Sequence, residues 1–563
     1  MKKTVPFKPQ TDDFYQRALD KFDAGDFLGS LELLRHAHSQ IKQRYSNDDL
    51  AIRFEIAETL SYMDLFEESN RELFKLTAFD YALDEIFYGL VKNYAMMEMP
   101  EQAAYYLDYA IENEILMPED GFESLDFEFG AVPEIERLRL VKPEEHTQTL
   151  YAARQLMGAR DLVIAKQLLL GVPENSPQFS SVSNYLALIE ASEGNNQKAL
   201  AHCEDALKVD PLDVCALTTR ILALDMEGES AKAYKEIADL DLLGITDFPD
   251  IAKIAICSCQ IGNVDMAYKY LKMCISHAPY DKELMVLFIL AAANAGQFRE
   301  AKDMAVALRT VYPIDSVIEY YARQIDLLDD KNGNFTLVPE LPKEERRNHL
   351  LALENYFAKK ATAPLGIKIM HDESLRRAVT WGLYCSDLEL SSRIAGELAS
   401  VKTPYYHIAR ELLLDPDFSI VPKKEIFLTL LKNEDGKAIQ MVVAHQLHWY
   451  KPTIPKVTKN AAMKDAYFNV YSALAFVATD FDRKLNTWYK KLVEGLRGYS
   501  GDISPRAFAA LLAFKSRAAK IFSKIPYTCE IFNCPQEEFM PLYTHYEKWA
   551  KTSSIKKAAV QKK

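Results

Sequence analysis

His445 and His448 stand three residues apart, a spacing at which two imidazoles on one helix face can share a metal ion. No third ligand lies within sequence reach. The pair therefore reads as a polar patch near the end of a helix that also carries Trp449 and Tyr450. Cys529 and Cys534, with His545, would make a second metal corner, but cysteines in an apolar helical setting read more simply as buried thiols. Cys257 and Cys259 fall inside one helical pattern with their side chains pointing apart, and read as structural. The chain has no phosphate-binding glycine loop, dinucleotide fingerprint, HExxH zinc motif, nucleophile elbow or calcium loop. Neither catalysis nor a metal or cofactor is expected.

Cations interleaved with aromatic residues are the other chemistry to weigh. Lys451, Lys456 and Lys459 follow Trp449 and Tyr450, and Arg506, Lys515, Arg517, Lys520 and Lys524 alternate with Phe508, Leu511, Leu512, Ile521 and Phe522. A basic tail, residues 551–563, adds Lys551, Lys556, Lys557, Lys562 and Lys563. Such a set can face nucleic acid. Its positive charge is not confined to one stripe, however, so solvated helix faces are the favoured reading and nucleic acid the weaker partner.

The elements that would position any site emerge from the period of the sequence. Gly194, Gly228, Gly262 and Gly296 are 34 residues apart, and Ala199, Ala233, Ala267 and Ala301 follow each by five. Pro177, Pro211, Pro279 and Pro313 keep the same frame, with Ile245 in the gap. In residues 248–281, Ile251, Ile254, Ala255 and Ser258 make one helical face. Gly262 stops that helix, Ala267, Leu271 and Cys274 make a second face, and Pro279 closes the unit. One such hairpin cannot bury its apolar face unaided, so neighbours must stack.

This unit resembles the tetratricopeptide repeat, a helix–turn–helix with small residues where its helices cross. The resemblance covers residues 146–315 as five in-phase units, the first with Arg160 in place of the turn glycine. It implies an all-α fold, a right-handed α–α superhelix, continued by a further helical region. Weaker copies occupy 11–117, where Ser30, Ser69 and Ala103 hold the small-residue place. An acidic, Phe-rich insert is expected at 118–145, a closing helix and linker at 316–342, and a helical region at 343–550. That last region reads either as divergent hairpins extending the solenoid or as a separate all-α domain. Its helix starts are expected at Asp372, Pro422, Asn460 and Ser504.

Repeats of this family bind peptides mainly through their first helices. The resemblance places the corresponding groove at Asn184, Leu188, Thr218, Leu222, Ala252, Ile256, Val286 and Leu290, with Lys253 as nearly its only cation. A basic carboxylate clamp does not carry over. An apolar groove near Asp225 and Glu283 suits a hydrophobic or basic segment, such as a helix laid along it. The expected function is therefore a protein-interaction scaffold. The alternatives are a regulator whose basic half meets nucleic acid, and an enzyme with an unrecognised all-α half.

Composition sets the remaining bounds. Among 563 residues the net charge is −14, with 35 Lys+Arg against 60 Asp+Glu up to residue 350 and 32 against 21 beyond it. These sums, −25 and +11, make attraction between an acidic and a basic half, within one chain or between copies, a further expectation. Eight scattered cysteines point to a reducing, cytoplasmic compartment. No apolar run is long enough to span a membrane, and the start of the chain does not read as a secretory signal.

Overall fold

The computed structural model describes residues 11–116, 146–158, 160–328, 333–358, 363–400, 405–433, 438–452, 460–478 and 481–561. The insert expected at 118–145 lies outside them, as do Lys456 and Lys459. The chain divides into two compact units. One holds the described residues of Met1–Gln40, Tyr62–Leu65 and Met117–Pro342; the other holds Ile41–Ser61, Phe66–Leu116 and Lys343–Lys563.

In the first unit the five in-phase repeats are antiparallel helix pairs. They are Thr147–Gly158 with Leu162–Leu170, Phe179–Ser192 with Asn196–Val209, Val214–Met226 with Ser230–Asp241, Phe248–Gln260 with Val264–His277, and Lys282–Asn294 with Phe298–Val311. Ser316–Asp326 follows as a single helix. Between the helices of each pair the backbone turns left-handed, with φ of 61° at Arg160, 77° at Gly194, 83° at Gly228, 73° at Gly262 and 75° at Gly296. Ala165, Ala199, Ala233, Ala267 and Ala301 are fully buried at the helix crossings, where a larger side chain would push the pair apart. The hairpin formed by Thr11–Asp23 and Phe27–Gln40 belongs to this unit and packs beside Phe298–Val311.

The second unit holds the helices Asn47–Tyr62 (but for its last residue), Phe66–Leu76, Leu83–Met96 and Pro100–Glu112 together with the C-terminal half. Ser69 Oγ donates to Ala57 O at 2.7 Å, the same contact that Ser30 makes to Ala18 O at 2.8 Å in the first unit. A serine thus fits the small-residue place by returning its hydroxyl to the facing helix. One continuous apolar core runs through the C-terminal half from Leu353 to Tyr546. Asp372, Asn460 and Ser504 cap their helices by accepting backbone N–H groups, and Pro422 sits in the first turn of Ile420–Asn433.

The helix expected around His445–Tyr450 is instead a β-hairpin. Strands β1, Ile439–Val443, and β2, Gln446–Tyr450, pair antiparallel with Met441 opposite His448. Ile439, Val442, Val443, Trp449 and Tyr450 are residues that favour a pleated, half-buried surface. The two-residue turn is Ala444-His445, with φ of 49° and 59°. Asn-Gly, the usual signal for such a turn, is missing, so the pattern passes for the end of a helix.

Candidate functional site

The groove positions separate into two kinds. Leu188 is 37% exposed and Ile256 43% exposed, and Leu222 and Ala252 are half-buried. Leu188, Leu222 and Ile256 recur every 34 residues at one place in three successive first helices, and so form an accessible apolar row. Lys253 lies beside it, with its Nζ 2.7 Å from Asp250 Oδ1, so its charge is locally neutralised.

The other positions are closed. Asn184 is buried, with its Nδ2 donating to Asp213 Oδ2 at 2.7 Å. The buried Thr218 hydroxyl donates to Val214 O at 2.7 Å. Val286 is 2% exposed and Leu290 0%, because every residue of their helix from Leu284 to Ala293 is buried. They are core residues and offer no surface to a ligand. Of the expected groove positions, Asn184, Thr218, Val286 and Leu290 are thus buried, and Leu188, Leu222, Ala252, Lys253 and Ile256 remain exposed or half-buried.

The histidine pair is also corrected. His445 forms the hairpin tip, where its Nδ1 lies 3.3 Å from the Tyr94 hydroxyl and its carbonyl accepts from Tyr106 Oη at 2.7 Å. His448 stands on β2, and burial lowers its pKa. Cys529 and Cys534 are buried with raised thiol pKa values, and His545 packs edge-on against Tyr499 at 5.1 Å. Among the described residues no group of three or more His, Cys, Asp or Glu could hold a metal ion. Two of the expected basic residues have internal partners: Arg506 pairs with Glu538 and Lys515 with Glu547.

Sequence reasoning missed a buried polar clasp within the second unit. Besides the contacts of His445, Tyr105 Oη donates to Leu447 O at 2.9 Å and Gln440 Nε2 to Thr77 Oγ1 at 3.3 Å. Arg53, 4% exposed in its side chain, meets Asp49 at 3.3 Å and Glu411 at 3.4 Å. Arg71 meets Glu68 at 2.6 Å, Asp415 at 3.3 Å and Asp417 at 2.8 Å. Burial works against the charge of Arg71, but these three carboxylates outweigh it and raise its pKa. The one legible signal was the cluster Tyr105, Tyr106 and Tyr109, of which the buried Tyr106 and half-buried Tyr105 place their hydroxyls on backbone acceptors.

These pairs reverse the expected polarity. Arginines of the acidic N-terminal half meet carboxylates of the basic C-terminal half, so these particular pairs do not follow the sign of the net charges. The Arg53 pairs are buried and poorly screened, and salt is expected to affect them little.

Lys423 closes the clasp. It is 1% exposed, and its ammonium donates to Asp415 O and, at 2.8 Å, to Val442 O, tying the turn after Tyr406–Leu414 to β1. Burial lowers its pKa from 10.5 to about 8, with Asp415 and Asp417 opposing the shift. The folded state thus releases this proton more readily than the unfolded chain. On its account stability rises from pH 8 towards 10 by about 2–3 kcal/mol. Lys423→Met is expected to lose that rise relative to the unmodified chain in urea titrations of the second unit; identical pH slopes would contradict the assignment.

The fold and the row together define an all-α helical-repeat protein with tetratricopeptide-like hairpins. Among the described residues no helix is long and apolar enough to cross a membrane. No protein-family model and no curated protein matches the chain. Among solved structures it is similar to a human IFIT1 dimer with PPP-AAAA, at 13% identity and a TM-score of 0.26 over 98% of this chain and 96% of that one. It is also similar to a human IFIT1 dimer with m7Gppp-AAAA, at 12% identity and 0.26, over 98% and 96% of the two chains. Yeast Tom70 gives 10% identity and 0.26, over 97% and 96%. The class rests on the repeat geometry itself.

Proposed function

We propose that the chain is a tetratricopeptide-repeat scaffold that holds a segment of another protein along the row Leu188–Leu222–Ile256, without catalysing a reaction. The observation that carries this reading is the accessibility of one apolar position in three consecutive repeats, while the equivalent Leu290 is closed. A core residue would be buried in all four, and a solvated position would be polar. Asp225 is half-buried and Asp250 already neutralises Lys253, so an apolar segment flanked by basic residues is the matching partner.

Burying one such side chain contributes about 1.5–3 kcal/mol, roughly a ten- to hundredfold change in affinity. Ile256→Glu in the full chain should therefore weaken capture of a partner held by the unmodified protein at least tenfold, whereas Lys253→Ala should change it little. Capture that survives both Ile256→Glu and Leu188→Glu would retire the row as the binding surface.

A further inference from the structure

A later segment of the chain docks against the C-terminal end of the helix Lys282–Asn294. Val286, Leu290 and Asn294 share one face of Lys282–Asn294 at intervals of four, and Asn294 grips a later segment, residues 333–341. Its Nδ2 donates to Phe335 O and its Oδ1 accepts from Phe335 N, each at 2.8 Å. Gly333 N donates to Ala293 O at 3.0 Å. Further along, Tyr321 Oη lies 2.9 Å from Glu340 O and 3.4 Å from Val338 O.

All of these bonds read the backbone of 333–341, not its side chains. The side chains alternate as in an extended peptide laid on an apolar surface. Phe335, Leu337, Pro339 and Leu341 turn inward, with Leu337 7% and Leu341 4% exposed, while Asn334, Thr336, Val338 and Glu340 face outward. Val338 N bonds to Thr336 O at 2.9 Å, a local bend, and the Phe335 ring meets Tyr321 edge-on at 6.1 Å.

A side-chain amide bonded to both backbone groups of one residue, with apolar subsites for alternate residues beyond it, is the arrangement by which a protein surface takes a peptide whose outward residues are free to vary. We propose that Lys282–Asn294 and Ser316–Asp326 form an acceptor site for an extended peptide of aromatic–x–Leu–x–Pro–x–Leu pattern. Residues 333–341 are its resident occupant, and a partner segment of that pattern replaces them. The site depends on no residue of the Leu188–Leu222–Ile256 row.

The test uses a fluorescent peptide of the nine residues 333–341 and a scrambled control. In full-length protein carrying Phe335→Ser and Leu337→Ser, the resident segment loses its inward side chains while the acceptor stays intact. That variant should bind the peptide at least tenfold more tightly than the unmodified chain and should ignore the scrambled one. Adding Asn294→Ala should weaken binding at least fivefold, and adding Ile256→Glu should leave it unchanged. Equal binding by the variant and the unmodified chain, or indifference to Asn294→Ala, would overturn the proposal. Dimerisation of the variant in place of peptide binding would assign exchange between copies and overturn it too. Should the variant not fold, hydrogen exchange of the unmodified chain decides: excess peptide should speed exchange at the Phe335 amide and leave that at Ala301 unchanged. An unaltered Phe335 rate would reject replacement.

Discussion

Leu290→Glu is expected to unfold the repeat unit, whereas Ile256→Glu, one repeat earlier at the same place in its helix, is expected to leave it folded. Leu290 is 0% exposed, in a helix whose residues are buried from Leu284 to Ala293. Removing a buried leucine costs about 2–5 kcal/mol before any charge is considered. A carboxylate there would be desolvated without a partner, adding a comparable cost or forcing protonation. A loss of that size takes most of the ~5–15 kcal/mol by which a domain is stable. Ile256 keeps 43% of its surface in solvent, and a glutamate there can extend into water. Thermal melts followed by circular dichroism should separate the two variants clearly. Equal stability would mean that the position behaves alike in both repeats, and the accessible row would lose its meaning.

The second large effect is expected at Arg53. Its guanidinium is shared between Asp49 and Glu411, with Glu72 at 4.0 Å, and Tyr45 Oη donates to Glu411 at 3.1 Å. Arg53→Ala leaves Asp49 buried without its cation, and breaking one side of a buried pair typically costs about 3–5 kcal/mol. The loss should appear in the second unit's unfolding transition. It should persist between 0.1 and 1 M salt as an expected range, because a buried pair is weakly screened. A change below about 0.5 kcal/mol would place Arg53 among ordinary surface ion pairs. A steep salt dependence would instead restore attraction between the acidic and basic halves as the cause of the join.

The repeat was legible where the turn needs a left-handed residue and the sequence supplies glycine, as at Gly194, Gly228, Gly262 and Gly296. The same turn at Asp64, Glu98 and Arg160, with φ of 60°, 57° and 61°, uses residues that carry no such signal. The earlier copies therefore read as weak although their geometry is the same. The small residue five places later was the more faithful marker, since steric exclusion at the helix crossing leaves no alternative to Ser30, Ser69, Ala103 or Ala165.

Period alone could not tell which groove positions stay open. Leu188, Leu222, Ile256 and Leu290 look equivalent in sequence, but the last lies in a helix buried from Leu284 to Ala293. The clasp was hidden for a related reason. Arg71 and Asp415, or Tyr106 and His445, lie more than 300 residues apart in sequence, and no local pattern links them. The β-hairpin escaped because Ala444 and His445 hold a strained turn without glycine, supported by the hydroxyls of Tyr94 and Tyr106.

Photo-crosslinking tests the scaffold reading most directly. A benzophenone residue placed at Leu188, Leu222 or Ile256 in the full chain should label the same partner segment at all three positions. Placed at the exposed Lys272 of a second helix, it should not. Labelling of one apolar segment from all three positions is the predicted result. Labelling equal to that from Lys272, or none from any of the three, would contradict it.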